Sequence, residues 1–337
     1  ADSSRQLRLA EALADLDRLT GLAAIKSEVQ ELVNFLKIEE ERATHGLPRT
    51  PISLHMVFDG NPGTGKTSVA RIVGRVFGAL GVLVKGHLVE TDRSGLVAEY
   101  AGQSGPKTNR RVDEALDGVL FVDEAYSLLA QSGDDPFGAE ALQTLLKRME
   151  DDRKRLVVIL AGYTQAMDRL LRSNPGLESR FGRRLHFADY SAVELGQIFE
   201  RLAADQCYTL SPAARLKLLL CLHYLTSHRT AGFGNGRLMR NLFEQSIRRL
   251  ANRVVRLAER SRQQLSMLES DDLLLPEVPD SVWRDADPAK LRLAMVCPGC
   301  QQVARFGARH LGRSVKCKRC GSQFLADWAE LDGPLPS

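Results

Sequence analysis

The chain has 337 residues, of which 44% are hydrophobic and 26% are charged, and its formal net charge is +4. This length allows two or three domains with a sizeable core, and the composition is typical of a globular protein. The sequence contains no run of about 18 apolar residues, so it predicts no membrane span. The first residues alternate charges with Leu and Ala, which is unlike a secretory signal, so we expect a cytoplasmic protein.

Helices and short strands alternate over residues 1–190. A helix is expected over 22–46, where apolar residues recur at helical spacing, and a second helix is expected over 68–80. Apolar runs predict strands over 53–59, 86–92, 118–123, 155–162 and 184–189. Strands separated by helices are typical of a doubly wound parallel sheet, so the fold class predicted for 1–190 is α/β.

The strand patterns stop at residue 191. Three helical patterns over about 191–265 predict a small helical domain. A Pro- and Asp-rich stretch over 266–292 predicts a linker, and a small cysteine-rich unit is expected over 293–325. Residues 326–337 are expected to form a tail.

A phosphate-binding loop is predicted over residues 60–67, because Gly-Asn-Pro-Gly-Thr-Gly-Lys-Thr lies between a predicted strand and a predicted helix. Glycines let consecutive backbone N–H groups curve around phosphates, and the following helix directs its positive end at the same anion. Lys66 is expected to reach the β- and γ-phosphates of ATP, and Thr67 is expected to bind Mg²⁺. The predicted nucleotide contacts are Asn61, Pro62, Gly63, Thr64, Gly65, Lys66, Thr67 and Ser68.

Two acidic residues end the predicted strand over 118–123. Asp123 follows the apolar run Val-Leu-Phe-Val and is expected to contribute to Mg²⁺ binding. Glu124 is expected to orient and polarise the water that attacks ATP. The arrangement predicts nucleotide hydrolysis at the carboxyl ends of the strands.

Together these motifs resemble the AAA+ ATPases and, within them, the CbbX/SpoVK (CfxQ) branch. The resemblance covers about residues 16–257, and its motifs are LTGLAAIKSEV, GNPGTGKTSVARIVG, GLVAEYAGQSGPKT, VLFVDEAYSL, LLKRMED, VVILAGY and NPGLESRF. It implies an ATPase domain with a helical lid, assembled as a homo-oligomeric, hexameric ring that acts on a protein substrate.

The resemblance assigns roles to two arginines. Arg180, in Glu-Ser-Arg-Phe, would be the arginine finger donated to the ATP of the neighbouring subunit, and Arg237 would be the sensor-2 arginine of the lid. A guanidinium suits both roles because it spreads a permanent charge over phosphoryl oxygens. Arg183, Arg184 and Arg240 are nearby competitors for these roles.

Roles for five further residues are implied by the resemblance. Gly21 and Leu22 would lie against the adenine, and the sensor-1 position falls on Thr164, with Tyr163 as the alternative. In the sequence Glu-Tyr-Ala-Gly, Tyr100 and Ala101 resemble a pore loop that grips a peptide in the channel of the ring. A tyrosine packed against its own subunit is the other interpretation of Tyr100.

Two Cys-x-x-Cys pairs, Cys297 with Cys300 and Cys317 with Cys320, are separated by 16 residues. This spacing is typical of a structural Zn²⁺ site with four cysteine ligands, and disulfides are not expected in a reducing cytosol. Residues 293–325 carry six basic side chains and no acidic one, so this zinc ribbon could dock a protein adaptor, bind nucleic acid or be purely structural.

The sequence therefore predicts an AAA+ motor that remodels or threads a protein partner, with the ribbon as a docking module. A nucleic-acid remodeller or loader that uses the basic ribbon is the alternative, and a Rubisco-activase-like chaperone is a narrower form of the first hypothesis. A GTPase switch or small-molecule kinase is disfavoured, because no Asn-Lys-x-Asp guanine signature is present.

Overall fold

The computed structural model describes residues 2–48, 50, 52–129, 135–230 and 232–335. The chain divides into two compact units, Ala1–Ala188 and Asp189–Ser337. Among the described residues, no helix is both long and apolar enough to cross a bilayer.

The first unit is an α/β domain. Its strands are β1 (Met56–Gly60), β2 (Leu88–Thr91), β3 (Gly118–Val122), β4 (Leu156–Gly162) and β5 (Arg183–Phe187). Its helices are α1 (Asp2–Asp17), α2 (Ala23–Thr44), α3 (Lys66–Ala79), α4 (Arg93–Leu96), α5 (Ser104–Ala115), α6 (Pro136–Asp151), α7 (Thr164–Arg172) and α8 (Pro175–Arg180). All five predicted strands are present.

The five strands form one parallel sheet in the order β2-β3-β4-β1-β5. The register aligns Asp59 of β1 with Gly162 of β4 and with His186 of β5. Because the strands are parallel, the residues that follow β1, β3 and β4 meet at one edge of the sheet. The loops predicted to bind phosphate and Mg²⁺ therefore share that edge, and the α/β fold class is confirmed.

Successive residues of the buried strands pack on opposite faces of the sheet. Phe58 and Phe121 belong to a core formed with α1, α2 and α3, whereas Val57 and Leu120 belong to a core formed with α5, α6, α7 and α8. This alternation explains why the strands are apolar throughout: both faces are covered by helices.

Helix α1 extends the first core beyond the predicted elements. Its buried residues Leu9, Ala12 and Leu16 recur every three or four positions and pack in the same core as α3. The charged residues between them had obscured this periodicity, because most of the helix is exposed to solvent.

The second unit combines helices with small sheets, of which β6–β7 is parallel and the others are antiparallel. Its helices are α9 (Ala192–Asp205), α10 (Pro212–Ser227), α11 (Asn235–Val254), α12 (Arg262–Ser266) and α13 (Ser281–Arg284). Its strands are β6 (Thr209–Leu210), β7 (Met267–Leu268), β8 (Arg292–Val296), β9 (Val303–Gly307), β10 (Ser314–Lys316), β11 (Gln323–Leu325) and β12 (Glu330–Leu331). Strands β12, β8 and β9 form one sheet, and β10 pairs with β11.

The segment predicted as a linker is folded into this unit. Leu268 and Leu273 are almost fully buried, β7 pairs with β6, and α13 packs against α10. The apolar residues between the prolines and aspartates are what bury the segment, so its composition was a poor guide to its structure.

The segment predicted as a tail is also folded. Trp328 and Ala329 are each 1% exposed, and β12 completes the sheet of β8 and β9. The structure therefore differs from an open tail over the part of 326–337 that it describes, because a large aromatic side chain finds a buried site there.

Candidate functional site

The phosphate-binding loop curves between β1 and α3. Gly63 and Gly65 have φ angles of 71° and 97°, which glycine adopts without strain. At Gly60 a Cβ atom would lie 2.2 Å from the carbonyl oxygen of Phe187, so that position excludes every larger residue. The loop thus needs glycine at Gly60 for packing against β5, and at Gly63 and Gly65 for its backbone conformation.

Lys66 holds the loop from within. Its Nζ donates to the carbonyl oxygens of Gly60 at 2.9 Å and Asn61 at 2.7 Å. Thr64 is fully buried, and its hydroxyl donates to the Asn61 carbonyl at 2.8 Å. Thr67 lies half-buried in the first turn of α3. Pro62 is also half-buried, and Ser68 is exposed.

Asp123 and Glu124 follow β3 at the same edge of the sheet. The backbone N–H of Asp123 donates to the Thr91 carbonyl at 2.8 Å, and that of Glu124 donates to the Asp123 carboxylate at 3.0 Å. Glu124 adopts a φ of 47°, the left-handed region, so the chain turns sharply between the two acids. Both side chains are exposed, and they line a cavity of about 420 Å³ together with residues 90–92, 94 and 95, a cavity that no residue of the loop over 60–67 lines.

Asp59, which the sequence analysis did not single out, has a fully buried carboxylate at the end of β1. It accepts a hydrogen bond from Nε of Arg184 and lies 2.5 Å from Nδ1 of His186. A buried carboxylate requires such partners, and they are on β5, far away in sequence. Arg184 also pairs with Asp168 at 2.6 Å.

Tyr163 follows β4 beside these groups, and Thr164 is the first residue of α7. The Thr164 hydroxyl donates to Asp59 at 3.4 Å, which directs it towards the strand that carries the phosphate loop. The Tyr163 ring instead packs against Tyr126, with centroids 5.8 Å apart. Burial, with the nearby Glu124 carboxylate, raises the pKa of Tyr126 to about 12. Of the two sensor-1 candidates, Thr164 is therefore the one that contacts the strand leading into the loop over 60–67.

Arg180 lies at the opposite, amino-terminal edge of the sheet. Its carbonyl accepts a hydrogen bond from Ser53, which precedes β1, at 2.5 Å, and its guanidinium lies 3.6 Å from Glu150, which precedes β4. The next residue, Phe181, packs its ring 5.9 Å from that of His55. Because β1 has five residues, it separates Arg180 from the phosphate loop of the same chain by about 16 Å.

The segment between α4 and α5 exposes Tyr100. Its side chain is 67% exposed, and the neighbouring Gly102 has a φ of 76° that allows a tight turn. Ala101 lies exposed beside it. Within this chain Tyr100 is therefore not a packed core residue, and the interpretation that it packs on its own subunit is not supported.

Gly21 and Leu22 lie before α2 and form a left-handed pair, with φ angles of 62° and 58°. Such a pair turns the chain sharply into the helix, and Leu22 packs partly against the core. In the second unit, Arg237 is exposed in the first turn of α11. Asn235 fixes that turn by accepting from the Tyr190 N–H at 2.9 Å and donating to Asp189 at 2.6 Å.

The four ribbon cysteines lie together. All four Sγ atoms lie within 4.8 Å of one another, with Cys297–Cys320 at 3.7 Å and Cys300–Cys317 at 3.8 Å. Four sulfurs about 2.3 Å from one ion at tetrahedral corners would be about 3.8 Å apart, whereas a disulfide needs about 2.0 Å. The cluster therefore fits a zinc ribbon.

The two cysteine pairs have the same backbone turn. Gln301 and Gly321 adopt φ angles of 57° and 78°, so Gln301 takes the conformation that glycine takes after the second pair. Hydrogen bonds from the hydroxyl and the backbone N–H of Ser322 lower the pKa of Cys320 to about 6, whereas desolvation and hydrogen bonds with the other three thiols raise the pKa of Cys300 to about 11.

Comparison with known proteins agrees with this geometry. The family "ATPase family associated with various cellular activities (AAA)" matches residues 56–189, and "AAA lid domain" matches residues 191–280. The chain is 41% identical to stage V sporulation protein K of Bacillus subtilis over 80% of this chain and 84% of that protein.

Two further proteins are similar to this chain, and they differ in the share of their own length that is matched. The chain is 45% identical to the ESX-1 secretion system protein EccA1 of Mycobacterium tuberculosis over 73% of this chain, but spans only 44% of that longer protein. The structure of the FIGL-1 AAA domain in complex with ADP matches 78% of this chain and 85% of its own, at 21% identity and a TM-score of 0.52. The chain is therefore an ATPase and belongs to the AAA family, and an AAA lid domain follows its ATPase domain in the sequence.

Proposed function

We propose that this ATPase works as a hexameric, cytoplasmic ring that remodels or threads a protein partner. ATP and Mg²⁺ would be held by the loop over 60–67, with Lys66 on the β- and γ-phosphates and Thr67 and Asp123 at the metal. Glu124 would orient the attacking water, and Thr164 would contact the γ-phosphate side of the site. Gly21 and Leu22 would lie against the adenine, and Arg237 would sense nucleotide from the lid.

The position of Arg180 is the observation that carries the ring proposal. Strand β1 spans about 16 Å between the end at which Arg180 lies and the phosphate loop of the same chain, so Arg180 is placed away from its own nucleotide and would act on the nucleotide of an adjacent subunit. Of the competing arginines, Arg184 is paired with two carboxylates of its own chain, Asp59 and Asp168, whereas Arg180 and Arg183 each lie near one carboxylate, at 3.6 Å and 3.4 Å. The site would be completed only between subunits.

The exposure of Tyr100 supports the threading part of the proposal. An exposed aromatic side chain in a glycine-containing turn can pack against a passing polypeptide without sequence preference. In a ring, six copies would surround one channel.

Mixing two inactive variants tests the shared site. Glu124→Gln should bind ATP without activating water, and Arg180→Ala should lack the finger, so each variant alone should lose ATPase activity by about 10³-fold or more. A mixed ring brings the intact Arg180 of the first variant to the intact Glu124 of the second. We expect activity to return on mixing, measured as phosphate release at constant total protein.

Arg183→Ala is the matched control, because it removes an arginine three residues away and should retain most activity. If the mixture stays as inactive as its components while both variants still assemble, Arg180 does not act between subunits.

We also infer that the cysteine cluster binds Zn²⁺ as a closed structural site, with the ribbon as a docking module for a partner or adaptor. Four thiolates occupy every tetrahedral position, so no position is left for catalysis. The relatives named for sporulation and for secretion share this ATPase at similar identity, which is consistent with partner choice residing outside the motor.

A nucleic-acid remodeller that uses the basic ribbon is the second candidate, because residues 293–325 carry six basic residues and no acidic one. A Rubisco-activase-like chaperone is a narrower form of the leading proposal. The ribbon lies beyond the part of the chain that this resemblance covers.

A further inference from the structure

A groove runs between the two hairpins of the ribbon. It lies between β9 on one side and β10 on the other and has a volume of about 840 Å³. Both walls belong to the second unit, and no carboxylate is among the described residues that line it.

The groove is strongly basic. Its exposed cations are Arg292, Arg305, Arg309, Lys316, Lys318 and Arg319. Of these six, in the described part of the chain, Arg305 alone is paired with a carboxylate, that of Asp332 at 3.1 Å. Because like charges that lie close together repel one another, a negatively charged ligand would reduce the electrostatic repulsion among these cations.

One wall is a strand edge. In the sheet order β12-β8-β9, β9 is the last strand, so the outer side of its backbone is not paired within that sheet. Val303, which is 53% exposed, and Arg305 lie on one side of the strand, and the half-buried Ala304 and Phe306 lie on the other. An added strand would meet the Arg305 cation on one face and apolar side chains on the other.

The aromatic residues argue against nucleic acid as the ligand. Proteins that bind single strands present free ring faces on which bases stack. Phe324 is only 9% exposed, because it packs in the core formed with Cys297 and Cys317, and Phe306 is half-buried. The groove thus offers charge and a strand edge without a stacking surface.

We propose that this groove binds an extended, acidic peptide segment of the protein partner, which pairs with β9 and places its carboxylates against the basic walls. This inference rests on the proposed remodelling function, because peptide binding by the groove would recruit the partner on which the motor acts. The groove would recognise a strand that alternates acidic and apolar side chains.

The test measures binding of a fluorescein-labelled peptide of about ten residues, alternating Glu and Val, to the full-length protein by fluorescence anisotropy. We expect saturable binding that weakens with salt, and about tenfold or greater loss of affinity in the double variant Arg309→Glu with Lys316→Glu. Arg313→Glu with Lys290→Glu is the matched control: it makes the same charge change at exposed positions outside the groove.

Two further probes identify the mode of binding. The same peptide methylated at alternate backbone nitrogens keeps its charge but cannot pair as a strand, and should bind about tenfold more weakly. A single-stranded oligonucleotide of equal charge should bind more weakly than the peptide.

Equal loss of affinity in both double variants, undiminished binding of the methylated peptide, or tighter binding of the oligonucleotide would each overturn the proposal. ATPase activity is measured in parallel, because none of the four substituted residues lies in the ATP site. An inactive but peptide-binding protein would contradict the motor proposal alone, whereas an active protein that does not bind the peptide would contradict this inference alone.

Discussion

At the scale of single residues, the candidate site includes charged side chains that belong to no recognisable sequence motif. Asp59 precedes the phosphate loop and looks like an ordinary strand end in the sequence, yet its buried carboxylate is paired with Arg184 and His186 of β5. The register that aligns Asp59 with His186 creates this cluster. Pairing through space, and not spacing along the chain, determines what such a carboxylate does.

His55 provides a pH-dependent prediction at this scale. It is 6% exposed and accepts the Val158 N–H at 3.0 Å, and burial, assisted by the nearby Arg180 charge, lowers its pKa to about 4. The unfolded chain protonates this histidine near pH 6.5, before the folded chain does. We therefore expect the fold to lose stability as pH falls from about 6.5 to about 4, by at most about 3 kcal/mol.

The measurement is urea unfolding of the first unit, followed by far-UV circular dichroism over that pH range. His55→Gln keeps an acceptor for the Val158 N–H but cannot titrate, so its stability should fall less steeply with acid. Identical pH profiles for the two proteins would show that His55 does not carry the effect.

At the scale of elements, Trp328 connects the ribbon to the helices of the second unit. Its indole N–H donates to Glu200 of α9 at 2.7 Å, and the Arg215 guanidinium lies 5.2 Å from its ring. At Gly196 a Cβ atom would lie 2.2 Å from the indole, so the helix admits the ring only at a glycine. A short segment after β11 therefore anchors the ribbon to α9 and α10.

Trp328→Ala should detach this segment. Removing a buried indole typically costs about 3–5 kcal/mol, and the Glu200 carboxylate and Arg215 would lose a partner. We expect faster amide hydrogen exchange in α9 and in residues 326–331, followed by mass spectrometry, with exchange in the first unit unchanged.

Leu325→Ala is the control for this substitution, because Leu325 is 51% exposed and only three residues away. Unchanged exchange in α9 of Trp328→Ala would contradict the anchoring role.

At the scale of the whole molecule, the pore-loop proposal predicts contact between residues 100–101 and a foreign polypeptide. A photo-crosslinking amino acid in place of Ala101 should form adducts with partner protein in the Glu124→Gln background, where ATP is bound but not hydrolysed. Tyr100→Ala in the same protein should reduce the adducts several-fold, whereas Tyr100→Phe should retain them, because the ring provides the contact.

Adducts are detected by gel mobility and identified by mass spectrometry, with the same amino acid at exposed Lys37 as the control. If all adducts join residue 101 to other copies of this chain, the loop does not contact a threaded partner.

The sequence by itself determined the parallel α/β sheet, the placement of the loop over 60–67 and of Asp123 and Glu124 after its strands, and the four-cysteine spacing, because local pattern and chain order encode these features. Its motifs also show the resemblance to the AAA ATPases. Only the tertiary structure decided that Arg180 lies at the amino-terminal ends of the strands, opposite its own phosphate loop, and that the buried Asp59 carboxylate pairs with Arg184 and His186. The same is true of residues 266–292 and 326–331, which pack into the second unit instead of forming a linker and a tail. All of these features depend on contacts between residues that are distant in sequence. In the two segments, burial of a few apolar side chains outweighs the polar local composition that is typical of a linker or a tail.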